Sequence, residues 1–487
     1  MRASARAAIL LLTGLVVLVG PEAASSPGQT TLPRLQVHED GRYLIEEDGI
    51  PFLYLADTAW ELFHRSTREQ ARQYLELRAR QGFSVIHAVA LAELEGLEDP
   101  NAYGDLPLTD KDPARPAVTP GADPDKQDEY DYWDHVDFVV DEANRLGLYV
   151  AFLPTWGRWL GVYPRDERVI SAGNAGAYGE FLGRRYGKKA IIWVLGGDRT
   201  GQGFEDVWRA MARGIAVGVS GREDYGAALM TYHPTGDQTS SAWFHEDRWL
   251  DFNMQQTGHG PAAGVRPWEK IGADYLRTPV KPVVDGEPLY EDHPIGFSGG
   301  VRRNGFSSDN HVRQRAYWAL FAGAAGVAYG HHSVWQMYAP GRQPINGPLY
   351  SWDEAIHRPG AAQVRHVRTL MESRPMLSRV PDQSLVTDPL EGPERIQAIR
   401  GPDHLFVYSA SGIAFTLNLG RTSGARVKAY WYNPRNGTST ELGTFDNTGT
   451  REFKPQYEGL GSDWVLVVDD ASKGYPPPGR LVPGPLR

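Results

Sequence analysis

Two short apolar runs in this 487-residue chain each end in a carboxylate. One reads Ala190-Ile191-Ile192-Trp193-Val194-Leu195-Gly196-Gly197-Asp198, the other Lys281-Pro282-Val283-Val284-Asp285-Gly286-Glu287. They are the fourth and seventh of eight such runs. As strands of a (β/α)₈ barrel, both would end at the mouth where such barrels keep their active sites, on roughly opposite sides of it. A protonated and an ionised carboxyl facing each other there could together break a glycosidic bond. In a retaining scheme Glu287 attacks the anomeric carbon, while Asp198 protonates the leaving oxygen and then deprotonates water. Retention needs the carboxyls ~5–5.5 Å apart and inversion ~6.5–9.5 Å. Burial and the Glu287 charge would both keep Asp198 protonated. The plain alternatives are a helix N-cap for Asp198 and a solvated loop residue for Glu287, which Pro288 holds extended. Glu291, four residues further on, is a rival nucleophile.

Other polar and aromatic residues recur at strand ends. Asp57 and Trp60 follow the first run, His87 lies in the second, Trp156 follows the third and His233 the fifth. Gln255, Gln256 and His259 follow the sixth, Tyr290 and Glu291 the seventh, and His331, His332 and Trp335 the eighth. As a set, Asp57, Trp60, Trp156, His233, Gln256, Tyr290, Glu291, His332 and Trp335 suit a sugar site, with hydroxyl-binding groups beside aromatic platforms. His331 and His332 are adjacent and point to opposite faces of an extended segment. No His-x-His or Glu-x-x-His spacing supports them, so no metal or other cofactor is expected. The one Gly-x-Ser-x-Gly string, Gly296-Phe297-Ser298-Gly299-Gly300, falls within the long connection Pro288 to Asn310 rather than at a strand-to-helix elbow, so a nucleophilic serine is not expected either.

The elements that must hold these groups alternate regularly. A hairpin over 35–51 precedes strand one, Phe52 to Ala56. Ser66 and Glu69 read as the capping box of the first helix, which Gly82 closes. Strand two is Phe83 to Ala90, strand three Leu148 to Pro154, strand five Ala227 to Tyr232, strand six Asp251 to Gln256 and strand eight Gly326 to Gly330. Helical spacing marks Trp133 to Leu146, Asn174 to Tyr186, Phe204 to Ile215 and Val312 to Phe321. This alternation predicts a closed barrel. An open doubly wound sheet would carry a Gly-rich phosphate loop after strand one, where this chain has Asp57-Thr58-Ala59-Trp60. The long connections Leu91 to Glu129 and Pro288 to Asn310 leave strand C-terminal ends and read as cleft walls. From about Pro375, short alternating segments with Asn433-Pro434-Arg435-Asn436-Gly437 between them predict a small antiparallel β-sandwich. The expected division is an export signal over 1–25, a catalytic barrel over 34–373, a β-sandwich over 375–470 and a disordered Pro- and Gly-rich tail over 471–487.

Composition agrees with an exported sugar enzyme. The net charge is −10 with both signs interspersed, so no basic stripe points to nucleic acid, and 14 Trp and 23 Tyr favour a carbohydrate ligand. The charged start, the apolar run from Ala8 to Val19 and the small residues after it have the order of a bacterial secretory signal. That run falls short of the ~20 residues of a comfortable span, so no integral span is expected after cleavage. With no cysteine at all, a disulfide or a thiolate metal site is impossible. Oligomeric state is not legible.

Three strings carry a resemblance. Pro51-Phe52-Leu53-Tyr54-Leu55-Ala56-Asp57-Thr58-Ala59-Trp60, Trp193-Val194-Leu195-Gly196-Gly197-Asp198 and Lys281-Pro282-Val283-Val284-Asp285-Gly286-Glu287-Pro288-Leu289-Tyr290-Glu291 resemble the apiosidase-like glycoside hydrolases of bacterial polysaccharide degradation. The resemblance spans about Leu35 to Asp470. It implies a (β/α)₈ catalytic domain followed by a β domain that carries a collagen-binding label, and release of apiose from the pectin rhamnogalacturonan II. It also implies Asp198 as acid/base and Glu287 as nucleophile. The wider clan of retaining barrel glycosidases has Asn-Glu at strand four, where this chain has Gly-Asp. The expectation is therefore an exported glycoside hydrolase acting on a plant or microbial polysaccharide or oligosaccharide. The alternatives are a barrel glycosidase for another sugar and a non-catalytic carbohydrate- or matrix-binding surface protein.

Overall fold

A computed structural model of the chain describes residues 32–480 except 127, 262–263 and 298–299. The expected export signal and the last residues, 481–487, lie outside the described residues. Eight parallel strands form one sheet: Tyr54–Thr58, Val85–Leu91, Tyr149–Thr155, Ile191–Gly196, Met230–His233, Asn253–Gln255, Val283–Asp285 and Gly326–Gly330. Called strands one to eight in that order, they lie side by side as five-four-three-two-one-eight-seven-six. Strand one thus sits between strands two and eight, as a closing barrel demands.

Strands five and six meet at a seam without a regular ladder. There Asp251 serves as its own connector: its N–H donates to the Met230 carbonyl at 2.9 Å, and its carboxylate accepts from the Met230 N–H at 2.7 Å. The Thr231 hydroxyl adds a bond to the Phe252 carbonyl at 2.6 Å. These side-chain bonds explain why both strands are shorter than the apolar pattern predicts. A small antiparallel sheet of Leu35–Val37, Leu44–Glu46 and Pro51–Phe52 precedes the barrel. The hydroxyl of Tyr149, the first residue of strand three, anchors that segment on the Pro33 carbonyl at 2.5 Å.

The first capping box is shifted by one residue. Thr67, not Ser66, caps helix Arg68–Arg80, and Gln70 returns the bond to the Thr67 N–H at 3.0 Å. A short helix, Leu62–Arg65, ends just before it, and the Ser66 hydroxyl is used on the Leu62 carbonyl at 2.6 Å.

The C-terminal part is an antiparallel six-stranded sheet facing the two-stranded pair Phe415–Asn418 and Thr450–Phe453. Alternation along the sheet serves two cores. Leu405, Val407, Trp431, Leu466 and Val468 pack towards the pair, whereas Phe406, Tyr408, Tyr430, Val465 and Val467 join the barrel core. The barrel element that receives them is helix Asp309–Phe321, which is buried on nearly every side. Tyr317 stacks on Tyr408 at 4.7 Å. Arg313 reaches Asp463 through two bonds of 2.9 and 3.0 Å, and Arg374 does the same to Asp469 at 2.6 and 2.8 Å. Where composition suggests a loose tail from residue 471, the described part of it is packed: the Tyr475 hydroxyl donates to Asp403 at 2.9 Å.

Removing one partner of a buried ion pair strands the other charge. Asp463→Ala is therefore expected to cost about 3–5 kcal/mol. Calorimetry should show one shared transition moving down; a β domain that melts separately, or no shift, would contradict this packing.

Candidate active site

Strand four ends at Gly196, and the chain then takes positive φ three times in succession: 96° at Gly196, 115° at Gly197 and 53° at Asp198. The two glycines are required sterically. A Cβ on Gly196 would stand 2.2 Å from the His233 carbonyl oxygen, and one on Gly197 2.8 Å from the Trp156 ring. The turn brings Asp198 into a cavity of about 770 Å³. Gln256 donates to its Oδ1 at 3.2 Å. Arg199 lies 3.6 Å from its Oδ2 and is itself held by Asp166 at 2.9 and 3.1 Å. The side chain keeps 38% of its surface open to the cleft. Loss of water in the cleft and, next, the Glu287 charge hold the Asp198 pKa above the ordinary aspartate range, against the pull of Arg199, His233 and Gln256.

Glu287 follows strand seven and is buried. Its Oε1 accepts from His259 Nε2 at 3.0 Å. His233 Nε2 lies 3.1 Å from Oε2, a close contact rather than an aligned hydrogen bond. Burial alone would raise this carboxyl. The two histidines outweigh it and hold Glu287 well below the ordinary glutamate range. Its backbone is fixed as well: the Gly286 N–H donates to the Gln255 carbonyl at 2.8 Å, and the Glu287 carbonyl accepts from Gly258 at 2.9 Å.

Trp60, Trp156, Gln256, Tyr290 and Trp335 join Asp198 and Glu287 in lining this cavity. Trp60 and Trp156 lie 5.1 Å apart, and Trp60 meets His233 edge-on at 5.3 Å. His332 stands one layer back: its ring packs edge-on against His293 at 4.4 Å and accepts from Trp335.

Two candidates lie elsewhere. Asp57 is fully buried against Arg78 and the Tyr74 hydroxyl, the latter at 2.6 Å, and does not reach the cavity. Glu291 turns away from the mouth to bond the Tyr329 hydroxyl at 2.6 Å and the Gly360 N–H at 3.0 Å. It caps helix Pro359–Met371, where a carboxylate meets unpaired N–H groups. The chain turns between Glu287 and Glu291, which spacing along the sequence does not reveal. Gln255 and His331 are likewise engaged, with Asp274 and Asp292.

The cavity also contains residues that sequence reasoning passed over: His293, stacked on His259 at 4.0 Å, and Glu93, Arg165 and Phe297. All lie in connections that leave strand C-terminal ends, the signal that could have found them. The walls do come from the two long connections, Glu93 from the first and His293 and Phe297 from the second. Among the described residues, no group of three His, Asp or Glu side chains is placed to hold a metal. No helix there is long and apolar enough to cross a membrane.

Comparison with known proteins now decides the family. Residues 38–378 match the model described as "Apiosidase-like, catalytic domain". The chain belongs to the apiosidase-like family. Residues 380–469 match a model described as "Putative collagen-binding domain of a collagenase". Among solved structures, a glycoside hydrolase shares 34% identity at a TM-score of 0.81, covering 91% of this chain and 98% of its own. A family 5 glycoside hydrolase from Bacteroides vulgatus shares 33% at a TM-score of 0.82, covering 94% and 98%. A third, described as a putative glycoside hydrolase from the same species, shares the fold at 16% identity and a TM-score of 0.60, covering 90% and 82%. No curated protein sequence matches. The apiosidase-like barrel is thus a glycoside hydrolase, with a β domain attached.

Glu291→Ala would leave the Gly360 N–H and the Tyr329 hydroxyl unpaired in the core. It is expected to lower stability by about 1–3 kcal/mol in denaturant unfolding; an unchanged midpoint would show that Glu291 does not anchor the helix.

Proposed function

We propose that this glycoside hydrolase is a retaining enzyme with Glu287 as nucleophile and Asp198 as acid/base. We further propose that it is exported to act on a plant or microbial polysaccharide, with apiose of rhamnogalacturonan II as the leading sugar. One observation carries the mechanism: two carboxyl groups line the same cavity, and their surroundings push Asp198 above and Glu287 below the ordinary carboxylate range. That division separates an acid from a nucleophile. The family match and the aromatic walls support the substrate class.

Ionised Glu287 attacks the anomeric carbon as the glycosidic C–O bond breaks, and the Asp198 proton passes to the leaving oxygen. The ester on Glu287 has no charge, so the main electrostatic influence that raised Asp198 is gone. Its pKa falls, and it becomes a base for water at the step that needs one. Water then displaces Glu287 and returns a proton to Asp198. Trp60, Trp156 and Trp335 offer flat apolar faces to the sugar ring. Trp156 Nε1 and Gln256 Oε1, buried without partners among the described residues, are free for its hydroxyls.

The test is hydrolysis of a panel of pectic and other plant polysaccharides by wild type, Asp198→Ala and Glu287→Ala. Wild type should release apiose. Asp198→Ala should lose about 10²–10⁴-fold, least on substrates with activated leaving groups, and Glu287→Ala should lose more. Release by the variants at the wild-type rate would remove the pair from the reaction. Release of a different sugar would correct the substrate alone.

The pH profile tests the electrostatics. Activity needs Glu287 ionised and Asp198 protonated, so it is lost as pH falls through the depressed Glu287 value and as pH rises through the raised Asp198 value. His259→Ala removes a bond that favours the Glu287 anion and should move the acidic limb of kcat/KM upward by about one unit. An unmoved acidic limb would contradict the role of that histidine.

A further inference from the structure

The cavity that holds Asp198 and Glu287 adjoins a second one of about 720 Å³. The two share Glu93, Arg165, Trp335 and Ile345 in their walls. The second cavity is built largely of charge, with Arg158, Arg199 and Arg342 among its lining groups. Arg199 fixes its place relative to the scissile bond. This residue follows Asp198, lies 3.6 Å from its carboxylate and lines the second cavity, whereas neither Glu287 nor His259 does. The second cavity therefore lies on the side of the acid. Because the acid meets the leaving oxygen, this is where the leaving unit of the substrate goes.

Most charges there are already engaged. Arg199 is paired with Asp166 at 2.9 Å and Arg158 with Glu95 at 3.1 Å, while Arg342 donates to the Arg65 carbonyl at 2.7 Å. Glu93 differs. Its backbone is fixed, because its carbonyl accepts from Arg158 at 2.8 Å and from the Glu95 N–H at 3.0 Å. Among the described residues, however, its carboxyl has no hydrogen bond or ion pair. A half-buried carboxyl without a partner, standing where two substrate cavities meet, lacks a structural reason for its place.

We propose that Glu93 is a substrate-positioning residue whose carboxyl donates a hydrogen bond to an oxygen of the leaving sugar unit. The proposal rests on the reading of Asp198 as the acid. The charges around Glu93 allow it to donate. Asp198 and Arg199 face it from the end of strand four, Glu61 from the turn after strand one and Glu287 from strand seven. Arg158 holds its backbone, and Arg165 shares its wall. Burial is the foremost cause pushing its pKa up to about 8, so it keeps its proton at neutral pH.

The test compares kcat/KM on an apiose-bearing rhamnogalacturonan II oligosaccharide with kcat/KM on 4-nitrophenyl apioside, whose leaving group has no sugar oxygen. If the polysaccharide panel releases another sugar, the corresponding pair for that sugar is used. In Glu93→Ala the ratio of oligosaccharide to aryl glycoside should fall about three- to tenfold, the worth of one hydrogen bond, through KM for the oligosaccharide. Glu93→Gln, whose amide still donates, should restore most of the ratio. An unchanged ratio in Glu93→Ala overturns the proposal, as does a Gln variant no better than Ala. If wild type cleaves neither member of the pair, the reading of the site as a glycosidase falls, and this proposal with it.

Discussion

A buried negative charge held between two imidazole rings organises this site. Glu287 is largely buried, and a carboxylate in such a place is costly unless it is paired and hydrogen-bonded. His259 and His233 supply the compensation at 3.0 and 3.1 Å. The same charge is then available to act on Asp198, raising it. The histidines thus lower Glu287 while its charge, added to burial, raises Asp198, the division that the proposed reaction needs. The histidines come from either side of the seam between strands five and six: His233 ends strand five and His259 follows strand six. The Asp251 bonds close the barrel at the opposite, N-terminal end of that seam.

The β domain belongs to the same structural economy. One face of its six-stranded sheet packs into the barrel core, and buried Arg313–Asp463 and Arg374–Asp469 pairs cross the junction. Charge pairs of this kind stabilise little by themselves, yet they tolerate only one arrangement. Helix Asp309–Phe321, which follows the second long connection, is held between the barrel and this sheet. The β domain thereby supports the element next to the loop that carries His293 and Phe297.

Much of the architecture was legible in the chain. Buried parallel strands read as unbroken apolar runs, and helices announce themselves by period and by glycine stops. Strand eight was readable to the residue, because Gly326 and Gly330 bound it on both sides. Strands five and six were not, because a side chain of Asp251 replaces ladder bonds there. The site was legible where a rule about strand ends applies directly, as it does for placing Asp198, Glu287, Trp60, Trp156, Gln256, Tyr290 and Trp335 at one mouth. It failed where a long-range partner decides. Asp57 also stands at a strand end, yet Arg78, 21 residues on, takes it into the core. Glu291 is drawn off by the N-terminus of a helix 69 residues away. Glu93 was overlooked because an acidic loop residue looks like any other until the two cavities on either side of it are seen.

The central claim is that Glu287 bears the charge that attacks. The most direct measurement is mass-spectrometric mapping of the residue labelled by a 2-deoxy-2-fluoro glycoside of the cleaved sugar, which forms the glycosyl-enzyme and releases it slowly. The account predicts one adduct, on the peptide containing Glu287, with fragmentation placing it on that carboxyl. An adduct on Glu291 or on Asp198, or turnover of the reagent without any covalent species, would contradict it.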